Sequence, residues 1–134
     1  MRLVVQIGLV ALGSAIGGLT RWGVAVLAGR LLGTRFPYGT FLINVTGSLL
    51  LGWFLTVLAE RTPLALGSWL RPDDLRLLVA IGFTGAYTTF STFEYESHQL
   101  FGDGDSLAGL AYVAGSVVLG LVAVRAGVLL ARWS

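Results

Sequence analysis

Threonine, serine, asparagine and tyrosine recur at helical spacing inside apolar segments of this chain, and their chemistry is hydrogen bonding rather than covalent catalysis. The densest group is Gly82-Phe83-Thr84-Gly85-Ala86-Tyr87-Thr88-Thr89-Phe90-Ser91-Thr92-Phe93. Its twelve residues include two glycines, four threonines and a serine, types that weaken helix relative to Ala or Leu. Their hydroxyls also offer the backbone local bonds that compete with the helical ladder. In lipid, such an interruption is tolerated only where protein or a polar cavity satisfies the freed backbone. The stretch is therefore expected to break a membrane helix and to form the functional centre.

Other polar groups are spaced to join it. Thr40, Asn44 and Ser48 fall at i, i+4 and i+8, one stripe along an otherwise apolar helix. An amide at mid-membrane depth is costly unless bonded, and interhelical bonds of this kind are worth about 1–2 kcal/mol in model systems. The stripe reads either as helix–helix glue or as a pore lining, with Asn44 its strongest member. Tyr112, Ser116 and Gly120 repeat the spacing beside Ala111 and Gly115. Phe90 and Phe93 share a face if helix resumes there. Such pairs ordinarily face lipid or core, but these stand among hydroxyls. Arg21, inside an apolar run, either snorkels to the interface or places a fixed positive charge near an anion path. Glu94, Glu96 and His98 read as a helix emerging into water, because i, i+2 and i+4 do not converge on a metal. No nucleophile–base pair or metal cluster is visible, so no enzyme is expected.

The elements that must position these groups follow from composition. The chain is 55% hydrophobic and 12% charged, against about 25% charged in ordinary soluble domains. Its charges cluster, leaving four apolar blocks, each long enough for the roughly 20 residues that cross a bilayer. An all-α membrane protein is expected, a single domain over 1–134. Its helices are expected at 3–28, 39–58, 75–100 with a break near 83–89, and 107–130. The first apolar run outlasts a signal-peptide core, and its Gly13…Gly17 pair permits close helix approach. Pro37-Tyr38-Gly39 opens the second helix. Pro63, Gly67 and Pro72 mark the longest polar loop, where Trp69 suits the membrane interface. Pro72-Asp73-Asp74 resembles a helix start.

There are no cysteines, so disulfides and thiolate metal sites are excluded. The net charge of +2 is too small and dispersed for a nucleic-acid surface. Arg2, Arg61, Arg71, Arg76 and Arg132 fall on one side of a four-span topology, against Arg30 and Arg35 on the other, which favours cytoplasmic termini. Four short helices have little interior, so polar groups inside them should face a partner subunit and an oligomer is expected.

Three motifs carry a resemblance over essentially the whole length. Thr20-Arg21-Trp22, Pro37-Tyr38-Gly39-Thr40…Asn44…Gly47 and Gly82-Phe83-Thr84-Gly85…Thr88-Thr89-Phe90-Ser91-Thr92-Phe93…Glu96 resemble the Fluc (CrcB) fluoride channel family. The resemblance implies an antiparallel, dual-topology homodimer with two fluoride pores and one central structural sodium ion. It also implies passive fluoride export across the bacterial cytoplasmic membrane, lowering cytoplasmic fluoride. By resemblance, Phe90 and Phe93 present ring edges to the anion, Asn44 and Thr40 line the pore, and Tyr112 and Ser116 begin a polar track. Gly85 and Thr88 offer backbone carbonyls to sodium, and Arg21 and Glu96 are electrostatic or vestibule residues. Gly120 departs from the family, whose track often continues there with Ser, and Glu94 stands where a small polar residue is common.

The physics agrees with these roles. Fluoride is small and strongly hydrated, so compact donors must replace its water. A phenyl edge carries the positive part of the ring quadrupole and faces an anion without holding it irreversibly. The competing reading is a small proton-coupled cation or drug antiporter, also a four-helix dimer. It needs a membrane-embedded carboxylate, and only Glu94 and Glu96, near the end of helix 3, offer one. A non-conducting assembly subunit would leave Asn44 and the Phe90/Phe93 setting unexplained.

Overall fold

The computed structural model describes residues 2–60 and 71–133. Among these the secondary structure is entirely helical. Three continuous helices are long and apolar enough to cross a membrane: α1 (Arg2–Leu32), α2 (Tyr38–Glu60) and α6 (Ser106–Trp133). The remaining helical run lies between α2 and α6 and is built from pieces. It comprises α3 (Pro72–Leu75), a π-helical segment (Arg76–Thr84), α4 (Gly85–Tyr87) and α5 (Phe90–Gly102). The expected loop residues Arg61, Pro63, Gly67 and Trp69 lie outside the described residues.

Local chemistry sets the helix ends. α1 runs a turn beyond the expected residue 28 and stops at Gly33, whose φ of +83° is left-handed, a conformation glycine adopts without the Cβ penalty. The Gly33 N–H closes the end by donating to Gly29 O at 3.1 Å. At the start of α3, the buried Asp74 carboxylate accepts from Arg71 N at 3.1 Å, so Pro72-Asp73-Asp74 begins helix three residues earlier than expected. α6 begins similarly, with Asp105 accepting from Ala108 N at 3.3 Å.

Two tight helix contacts organise the packing. α1 lies along the π-helical segment, and α2 lies along α6. The Gly13…Gly17 pair makes the first possible. A Cβ on Gly13 would strike Leu78 O, and one on Gly17 would strike Phe83 O, so backbone rests on backbone as small-residue packing permits. In the second contact, Gly52 of α2 meets Val124 O, and Gly127 of α6 meets Leu49 O. At the far end of that pair the Arg132 guanidinium donates to Glu60 Oε1 through Nη2 at 2.8 Å and through Nε at 3.1 Å. Few large side chains are buried, and apolar residues cover the outside, with Leu19, Trp22, Leu107 and Leu121 all exposed. A surface of that kind suits lipid rather than water.

Candidate functional site

The third helical run is interrupted over two residues. Thr88 (φ −77°, ψ 158°) and Thr89 (φ −150°, ψ 121°) are extended. The break expected near 83–89 is thus narrower: the backbone stays helical through Tyr87, first as π and then as α. Each broken end has its own cap. On the near side, Thr88 N donates to Thr84 O at 3.0 Å and Thr88 Oγ1 to the same oxygen at 2.9 Å. On the far side, Thr89 Oγ1 accepts from Thr92 N at 3.3 Å, the side-chain N-cap of α5.

The extended peptide itself is held by Asn44. Its Nδ2 donates to Thr89 O at 3.0 Å, and its Oδ1 accepts from Thr89 N at 2.9 Å. One amide therefore satisfies both polar groups of one residue, which the bilayer would otherwise leave without partners. The Thr89 N–H that would continue the helix to Gly85 O goes to Asn44 instead, so the Gly85 carbonyl is released from the ladder. Gly47, one turn after Asn44, brings α2 close: a Cβ there would strike Thr88 Cγ2 and stand 3.2 Å from the Tyr87 ring.

The aromatic pair follows the break. The Phe90 and Phe93 ring centroids are 5.8 Å apart at 36°, and Phe93 continues to the Tyr112 ring at 5.2 Å. Phe93 is half-buried, whereas Phe90 is 70% exposed within the single chain. Both rings line a cavity of about 300 Å³ with Asn44, Ser48, Thr84 and Ser116. The Ser116 hydroxyl is buried there without a hydrogen-bond partner.

Thr40 and Tyr112 belong to a second polar group, centred on Glu96. Thr40 Oγ1 donates to Glu96 Oε1 at 2.9 Å, and Tyr112 OH donates to Oε2 at 2.7 Å. Tyr112 is 0% exposed. Thr40 and Glu96 line a cavity of about 400 Å³ together with Arg35, Gln99 and Asp103. The Thr40–Asn44–Ser48 stripe therefore serves two places: Thr40 reaches the Glu96 group, while Asn44 and Ser48 reach the break. Arg21 is half-buried on α1, lines neither cavity, and makes no ion pair among the described residues. Glu94 and His98 are exposed on α5.

Two features go beyond the sequence reading. Asn44 was a candidate pore amide, and it is also the brace of the break. Glu96 was a candidate vestibule charge, and it is also the acceptor that gathers Thr40 and Tyr112. Neither partnership leaves a spacing signal, since 45 and 56 residues separate the bonded pairs.

Long apolar helices, a broken helical run and an amide- and hydroxyl-lined cavity at the break define a small multi-pass membrane protein. A family model described as CrcB-like protein, Camphor Resistance (CrcB), matches residues 8–128, and the chain belongs to that family. It is 44% identical over 124 residues to the fluoride-specific ion channel FluC of Chloroflexus aurantiacus, covering 92% of this chain and 93% of the relative. It is 48% identical over 118 residues to the protein of that name from Acidobacterium capsulatum, covering 88% and 89%. The Rhizobium etli protein of that name is 41% identical over 128 residues, covering 96% and 97%. The resemblance carried by the three motifs is borne out.

Proposed function

We propose that this protein is a fluoride-selective passive channel that exports fluoride across the bacterial cytoplasmic membrane. The observation that carries the reading is the single cavity in which Asn44, Ser116, Phe90 and Phe93 meet beside the braced break. Its lining is uncharged, so it offers hydrogen-bond donors and ring edges that bind an anion without trapping it. The relatives named as fluoride-specific channels supply the ion.

The working unit in this reading is an antiparallel homodimer with two pores. The exposure of Phe90 supports it: a ring that belongs to a polar cavity but lies 70% open needs another surface to complete the wall. A second copy of the chain is that surface. Thr40, Tyr112 and Glu96 form the vestibule end of the path, and Arg21 acts from α1 through its positive charge.

The family also implies a structural sodium ion, and the residues present fit one. The Gly85 carbonyl is freed from the helical ladder because Thr89 N–H donates to Asn44, and Gly85 lies on the exposed side of the chain. Gly85 and Thr88 would hold the ion through their carbonyl oxygens, which are suitable hard ligands. When bound, sodium supplies positive charge and a fixed geometry at the subunit junction.

Efflux from liposomes loaded with potassium fluoride or potassium chloride tests the function. Rapid fluoride release without chloride release is expected. Absence of fluoride flux, or equal release of both anions, would overturn it.

A further inference from the structure

Hydroxyls among the described residues commonly bond back to their own helix, others such as Ser14 and Thr40 bond across to another element, and two buried ones do neither. Thr20, Thr46, Thr56, Thr88 and Ser97 each donate to the carbonyl four residues earlier, at 2.6–2.9 Å. That back-bond satisfies a hydroxyl with no help from outside its own helix. Thr84 and Ser116 make no such bond. Their oxygens are buried and have no hydrogen-bond partner of any kind. Thr84 is 3% exposed, so water at the protein surface does not reach it. Buried polar groups are nearly always bonded, and an exception calls for an explanation.

Both exceptions line the same cavity. They reach it from different elements: Thr84 ends the π-helical segment, and Ser116 lies in α6. π-helical turns pair residue i with i−5 and recur at functional sites. The register shift takes the i−4 carbonyl away from the place it holds in an α-helix, leaving the Thr84 hydroxyl to point elsewhere. A third donor stands on the same wall. Asn44 Nδ2 carries two hydrogens and gives one to Thr89 O. Among the described residues no carboxylate or other charged side chain lines this cavity. Two unspent O–H groups and one unspent N–H group therefore belong to residues that line one uncharged cavity.

We propose that Thr84 is a specificity-determining residue, whose hydroxyl joins that of Ser116 to form a fluoride site in this cavity. The proposal rests on the fluoride-channel reading and adds to it a donor from the π-helical segment. The ligand is a compact hydrogen-bond acceptor, to which these neutral hydroxyl and amide groups can donate. A water molecule in the same place would satisfy the same hydroxyls, and the flux measurement separates the two occupants.

The test compares Thr84→Val, Thr84→Ala and Thr84→Ser with wild type in liposomes, reading initial fluoride efflux over a range of internal fluoride. Val keeps the shape and removes the donor; Ala removes the donor without crowding; Ser keeps the donor. At sub-saturating fluoride, Val and Ala should slow efflux about tenfold, the effect of one hydrogen bond to an ion. Ser should stay within about twofold of wild type by the same reasoning. If Val does not elute from a sizing column as wild type does, Ala alone carries the comparison. Wild-type efflux in the donor-free variants would overturn the site and leave water as its occupant. Equal slowing by Ser and Ala would also overturn it, assigning the effect to packing. If wild type itself releases no fluoride, the channel reading falls rather than the Thr84 site alone.

Discussion

Asn44→Ala tests whether the break is braced from α2. The substitution removes two hydrogen bonds, of 3.0 and 2.9 Å, from the Thr89 peptide. Neither group has a ready substitute, because Thr88 and Thr89 are extended and out of the helical ladder. Leaving a buried peptide group without its partner costs about 1–3 kcal/mol, so the pair is worth about 2–6 kcal/mol to the local structure. A factor of ten corresponds to about 1.4 kcal/mol, so amides at the break should exchange with solvent at least about tenfold faster. Hydrogen exchange followed by mass spectrometry on peptides covering residues 84–93 reads this directly. Peptides from the α2–α6 contact act as the internal control. Liposome efflux on the same preparation should show fluoride flux lost, since Phe90 and Phe93 follow the loosened peptide. Asn44→Asp refines the result. A carboxylate can still accept from Thr89 N–H but faces Thr89 O with a like-signed oxygen, so exchange should fall between wild type and Ala. Wild-type exchange at 84–93 in the Ala variant would refute the brace, whatever the flux.

Other predictions follow from the same geometry. Phe90→Ile and Phe93→Ile should both slow fluoride efflux while the protein still elutes as wild type, because an aliphatic side chain has no positive ring edge. The Phe93 variant should be the slower, and unchanged flux in both would remove the rings from the path. Gly17→Ala should lower the unfolding free energy in mixed SDS micelles by about 1–3 kcal/mol, the range for overpacking, because its Cβ meets the Phe83 carbonyl. Gly18→Ala, where a Cβ meets nothing within 4 Å, is the control, and equal responses would refute the packing argument. Tyr112→Phe should cost about 1.5–3 kcal/mol in the same assay, as expected for a bond to a charged group. That cost should shrink in a Glu96→Ala background, whereas additive effects would show that the 2.7 Å bond carries no coupling. If sodium bridges the proposed dimer, prolonged dialysis against sodium-free buffer should reduce both flux and dimer stability, and indifference of both would count against the proposed Gly85 and Thr88 site.

Much of the architecture was legible because it follows from local rules. Apolar length marked α1, α2 and α6, but α1 ends at Leu32 rather than 28 and α6 starts at Ser106 rather than 107, where Gly33 and Asp105 set the boundaries. The third run was legible as a helix under stress from its threonines and glycines, but the position of the break was not. Gly82 and Gly85 weaken helix locally, yet the backbone continues through them because α1 packs its glycines against the π-helical segment. The backbone parts at Thr88 and Thr89, where Asn44 supplies from α2 the bonds that the ladder gives up. Tertiary partners therefore overrode propensity at one end of the stretch and completed it at the other.

The same limit applies to the hydroxyls, and it bears on how the path would work. Spacing alone groups Thr40 with Asn44 and Ser48, and Tyr112 with Ser116, as two continuous stripes. Folding assigns them differently. Thr40 and Tyr112 direct their protons to Glu96, Thr88 turns back to its own helix, and Thr89 caps α5. Among the buried hydroxyls of the described residues, Thr84 and Ser116 remain without partners. The polar groups thus fall in two clusters, one around the Glu96 carboxylate and one around neutral donors. Phe93 stands between them, lining the neutral cavity while its ring lies 5.2 Å from that of Tyr112. Under the proposed function an anion leaving the neutral donors meets that ring before it meets the Glu96 charge. A weakly attractive phenyl edge placed there lets the ion advance without a deep well on one side or direct repulsion from Glu96 on the other. That position, rather than any larger exposed area, is why Phe93 should matter more to flux than Phe90.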